Sequence, residues 1–114
     1  MKREFLDYIE DIIEATGNAL KFIEGMEYED FEKDAKTVYA VVRALEIVGE
    51  AVKKIPDEVK NKYPKLPWRD IAGMRDKLIH EYFGVKLKVV WVTLKEDIPT
   101  LRPEFEKILK DFEG

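Results

Sequence analysis

The segment "RDKLIHEY", residues 75 to 82, gathers the side chains of this sequence best suited to chemistry. His80 is the sole histidine of the chain. Arg75 stands five residues before it and Tyr82 two residues after. Asp76 follows the arginine, and Glu81 separates histidine from tyrosine. An imidazole exchanges protons near neutral pH, which suits general acid–base work. A guanidinium holds a phosphate with two parallel N–H bonds and offsets charge that grows on it. Metal-free cleavage of RNA asks for a base at the 2′-hydroxyl, an acid at the leaving oxygen and a cation at the phosphate. Lys77, Lys86 and Lys88 would make the surroundings locally positive.

Helix geometry limits how these groups can meet. Residues seven apart differ by only about 20° around a helix axis, so Arg75 and Tyr82 share a face. Residues five apart differ by roughly 140°, so Arg75 and His80 of one regular helix point apart. Two copies packed about a two-fold axis would bring His80 of one chain toward Arg75 of the other. A competing reading keeps all of this structural. His80 then caps or lines the helix end, Arg75 pairs with Asp70 or Asp76, and the Tyr82 ring packs into the core. Asp70, Asp76 and Glu81 would form a solvated acidic edge, with no spacing that demands a metal.

The frame for these residues is small. At 114 residues the chain makes one domain, 1–114, with a modest core, and a subunit interface would add burial. Apolar residues reach 46% and recur periodically, against 39% charged, which excludes a disordered chain. A net charge of −4 argues against broad electrostatic binding of nucleic acid while leaving room for a local basic site. No cysteine is present, so disulfides and thiolate chemistry are excluded, and an N/S metal site within one chain is not expected. No apolar run is long enough to span a membrane, and the opening "MKREFLDYIEDI" is charged and amphipathic. The expectation is a cytoplasmic protein without membrane contact.

Apolar periodicity predicts an all-α, up-and-down bundle of four to five helices. Phe5, Ile9, Ile12, Ile13, Leu20 and Ile23 mark a first helix over about residues 3–24, with Gly25 as its stop. Val38, Val41, Val42, Leu45, Val48 and Val52 mark a second, from about Asp30, as its cap, to Lys54, ended by Pro56. "PDEVKNKYPKLP" reads as a loop with room for one helical turn. Trp68 opens a third helix, closed by Gly84. "VKLKVVWVTL" fits either helix or strand; its helical neighbours favour helix, with Leu87, Val90, Trp91 and Leu94 inward. Pro99 and Pro103 are expected to break the register before a last short helix carrying Phe105, Ile108, Leu109 and Phe112.

The stretch "PWRDIAGMRDKLIHEYFGV", residues 67 to 85, closely resembles the signature of HepT-like proteins in the HEPN superfamily, Arg-x4-His-x-Tyr with a polar residue after the arginine. The likeness runs from "RALEIVGEAVKKIP" to the C-terminal helix. It implies a dimerising bundle whose two motifs meet in a cleft between subunits. It implies a metal-independent endoribonuclease, the toxin of a type VII toxin–antitoxin pair, without a cofactor. Carried over, Arg75 and His80 are catalytic, Asp76 supports them, and Tyr82 is the site of AMPylation by an MntA-like nucleotidyltransferase antitoxin. The alternative is a non-catalytic nucleotide- or substrate-binding subunit of a separate minimal nucleotidyltransferase, in which Arg75 holds a phosphate and His80 orients it.

Overall fold

A computed structural model describes residues 2–74 and 86–113, and these are helical apart from short connections. α1 spans Lys2–Phe22, α2 Tyr28–Lys33, α3 Ala35–Lys53, α4 Asp57–Lys60 and α5 Trp68–Ala72. After residue 85, α6 runs Leu87–Val92, a π-helical turn covers Thr93–Asp97, and α7 runs Ile98–Glu113. α1 packs along α3 on one side and α7 on the other, while α5 lies against α3 and α2 touches both α3 and α6. The all-α expectation holds, and "VKLKVVWVTL" is helical from Leu87 onward.

The periodic stripes explain the packing. Ile9 and Ile12 of α1, Val41, Leu45 and Val52 of α3, and Ile108 of α7 lose all contact with solvent. Together with Val90, Leu94, Ile98 and Phe105 they form one continuous core. Burial of each such aliphatic side chain favours folding by about 1.5–3 kcal/mol. Gly25 stops the first hairpin with φ of 78°, a left-handed value that other residues adopt only with strain.

The expected single helix from Asp30 to Lys54 is two helices. Asp34 interrupts it, because its carboxylate accepts the Thr37 amide at 3.1 Å and so caps α3. Asp30 sits one turn inside α2 instead, and its carboxylate accepts the Glu27 amide at 2.9 Å. The single turn foreseen after Pro56 is α4.

The prolines near the end do not break the chain as expected. α7 begins before Pro99 and continues through Pro103. A helix-interior proline collides with the carbonyl four residues earlier and removes one ladder bond. The π turn relieves the first of these problems, since the Ile98 amide reaches back to the carbonyl of Thr93 and widens the coil just ahead of Pro99. Both prolines are exposed, so water can serve the carbonyls that lose a partner.

Candidate functional site

The motif residues Arg75, Asp76, Lys77, His80 and Tyr82 lie outside the described residues, as do Glu81 and Gly84. The described chain shows what carries it into that segment. α5 opens at Trp68, half-buried, whose ring meets Phe105 of α7 edge-on at 5.8 Å. The Trp68 indole N–H donates to the Tyr63 carbonyl at 3.0 Å. Tyr63 in turn donates its hydroxyl to Asp111 near the end of α7, at 2.8 Å. Burial and the nearby Asp111 carboxylate push the Tyr63 phenol up to about 12. Ile71, on the inner face of α5, is buried in the core. α5 is therefore held at three points before the chain reaches Arg75.

Beside α5 lies a cleft of about 560 Å³. One wall is the end of α5 with Arg69, Asp70 and Met74, and the other is formed by Val89, Thr93, Asp97 and Thr100. Met74 is bonded directly to Arg75, so the cleft opens where the motif begins. Arg69, Asp70 and Asp97 are exposed, and the ion pairs among the described residues both belong to Arg43, on α3. Of the acidic edge expected from Asp70, Asp76 and Glu81, only Asp70 is among the described residues. Arg69, Thr93, Asp97 and Thr100 are cleft residues beyond those expected from the sequence. The signal was there, three polar residues at 93, 97 and 100 on one helical segment, but it was hidden by the expectation that Pro99 ends that segment.

Of the lysines expected to make the motif's surroundings positive, Lys86 precedes α6 and is exposed. Lys88 places its ammonium 4.4 Å from the centroid of the Tyr28 ring. That ring is part of an aromatic group with Trp91, at 6.1 Å, and Trp91 stacks obliquely on Phe31 at 5.2 Å. A cation over an aromatic face keeps its charge available to solvent on its far side. Burial first, and the carboxylates of Glu32 and Glu29 beside it, raise the Tyr28 phenol above its ordinary range.

Among the described residues no three or more His, Asp or Glu side chains gather closely enough to cage a metal ion. No described helix is long and apolar enough to cross a membrane.

Comparison with known proteins places the chain in a family. The model of the family described as "Ribonuclease HepT-like" matches residues 5–108, a span that includes the whole of the motif. A protein of Thermococcus cleftensis named "Probable ribonuclease HepT" is 54% identical over 96% of this chain and all of its own length. Two proteins of Methanocaldococcus jannaschii that carry RNase names are 51% and 48% identical, over 99% and 98% of this chain and 93% and 97% of their own. No solved structure matches the chain. The chain belongs to the HepT-like ribonuclease family, a family of RNA-cleaving enzymes.

Proposed function

We propose that this protein is a cytoplasmic, metal-independent endoribonuclease that acts as the toxin of a two-component pair, with Arg75 and His80 at a cleft between two copies. The observation that carries the reading is the family match over residues 5–108, because it runs through the very segment that holds both residues. The chemistry follows from residue types. His80 takes the proton of a 2′-hydroxyl, the freed oxygen attacks the adjacent phosphorus, and the bond from phosphorus to the 5′-oxygen breaks. The imidazolium so formed returns its proton to that leaving oxygen, which restores the neutral base. Arg75 holds the phosphate and stabilises the charge that builds on its oxygens in the transition state. Asp76 supports the arginine, and Lys77, Lys86 and Lys88 attract the RNA backbone. The products are a 2′,3′-cyclic phosphate and a 5′-hydroxyl.

Control falls to Tyr82 and a separate MntA-like nucleotidyltransferase. Transfer of AMP to the phenol would set a phosphodiester anion and a bulky adenosine beside the RNA site. The anion would pair with Arg75 and repel the substrate phosphate.

The test is RNA cleavage by the purified chain in EDTA. His80→Ala and Arg75→Ala should each lower the rate by at least about a hundredfold, the scale of a lost acid–base group, with the helical circular dichroism retained. Co-expression with the partner should silence the enzyme and add one or more AMP masses at Tyr82. Undiminished cleavage by His80→Ala refutes the catalytic assignment.

A further inference from the structure

The lining of the cleft beside α5 is chemically one-sided along the wall that the π turn and its flanks build. The Thr93 hydroxyl donates to the Val89 carbonyl at 2.9 Å, and the Thr100 hydroxyl donates to the Glu96 carbonyl at 2.9 Å. Each hydroxyl has one proton, so both are spent inward and only lone pairs are left to show the cleft. Asp97, between them, adds a carboxylate and therefore more acceptors. A ligand that fits this wall must bring donors.

We infer that the cleft is a base-recognition subsite for a guanosine adjoining the cleaved phosphate, with Asp97 as the residue that reads the base. The inference rests on the RNA-cleavage reading above. Guanine is the one RNA base with two adjacent N–H donors on a single edge, at N1 and N2, and these match the two oxygens of a carboxylate. Adenine and cytosine offer an amine beside a ring acceptor, and uracil offers one N–H between two carbonyls. Either would set an acceptor against an acceptor here. Asp97 would also repel a phosphate, so the part of the nucleotide beside it is the base and not the backbone. Arg69 on the facing wall offsets that repulsion for the polyanion as a whole. Met74 and Val89 supply the apolar surface on which a ring can lie, the thioether being well suited to an aromatic face. The volume, about 560 Å³, is within the range of sites that enclose a small organic ligand. Met74, which lines this subsite, is bonded to Arg75, so the base site and the proposed phosphate site are neighbours along the chain.

The experiment compares the intact chain with Asp97→Asn in two arms. In the first, an RNA pool of random sequence is cut and the new ends are sequenced. The chain should cut next to guanosine at least about tenfold more often than next to any other base, the discrimination one bidentate contact supplies. Asp97→Asn should lose that preference while its thermal unfolding midpoint stays put. In the second, binding of the four nucleoside 5′-monophosphates is measured by equilibrium dialysis, which needs no catalysis. GMP should bind about tenfold tighter than the other three, and Asp97→Asn should level the four. Cutting without a guanosine preference, or with one that Asp97→Asn keeps, overturns the subsite and leaves the nuclease reading intact. If the chain cuts no RNA, the nuclease reading fails and the dialysis decides the subsite alone. Equal or undetectable binding of the four nucleotides then overturns it.

Discussion

At the scale of single residues, what could be read in advance depended on how much chemistry a side chain carries by itself. Arg75 and His80 stand out in a chain with one histidine because few residue types move protons or grip phosphates. Asp97 and Thr93 do not stand out, since their meaning lies in where their protons and lone pairs point. Tyr63 is a third case, an ordinary tyrosine until Asp111 is found 2.8 Å away across 48 residues of chain. Its phenol is pushed from 10.0 to about 12 in the folded protein. The folded state therefore prefers the protonated phenol, and this contribution to stability is complete below about pH 10. It is lost as pH rises from 10 toward 12. Urea unfolding of the native chain and of Tyr63→Phe across pH 9 to 12 should show the difference between them shrinking as the phenol ionises. A difference that stays constant over that window would mean that the hydroxyl makes no useful bond to Asp111.

Among the elements, the long stripes were legible and the interruptions were not. The stripes of α1 and α3 follow from apolar residues recurring with the helical period, which the hydrophobic effect alone can read. The break at Asp34 and the continuity through Pro99 and Pro103 depend on local hydrogen bonds that outweigh the period or the propensity. An Asp–Thr cap splits one helix, and a π turn rescues another. α5 is the described element that leads into the proposed site, and Trp68 ties it to Tyr63 and Phe105. Trp68→Phe removes the indole donor and leaves the Tyr63 carbonyl with the Leu66 amide alone. The expected loss is about 1–2 kcal/mol in urea unfolding, from one bond and a smaller ring. Because α5 leads directly into Arg75, RNA cleavage should fall with it, measured at a temperature where the variant stays folded. Ile9→Ala is the control. It empties a fully buried site on α1, far along the chain from α5, and should cost about 2–5 kcal/mol while sparing the rate of the folded fraction. Equal effects of both variants on the rate would show that α5 has no special hold on the motif.

For the whole molecule, the question is whether one chain can contain a complete site. Arg75 and His80 are five residues apart, and on one regular helix that spacing turns them roughly 140° away from each other. A phosphate cannot be gripped by one and attacked beside the other unless the helix is irregular or a second copy supplies the missing group. The small core that 114 residues can build gives a separate reason for association, since an interface adds burial that one chain lacks. The active species is therefore expected to be a symmetric dimer with two composite sites. Arg75→Ala and His80→Ala each damage both sites of their own homodimer. Mixed after unfolding and refolding together, the two variants form heterodimers in which one site carries both defects and the other carries neither. At random association half of all dimers are mixed, so about a quarter of all sites are restored, a figure that follows from two-fold symmetry. Cleavage should return to about that fraction of the native rate, from parents that show almost none. If sedimentation and mass spectrometry find the heterodimer and the mixture stays inactive, the pair does not form across the interface. A native chain that cuts RNA while sedimenting as a monomer at working concentration would remove the composite site altogether, and one chain would then have to bring Arg75 and His80 together by itself.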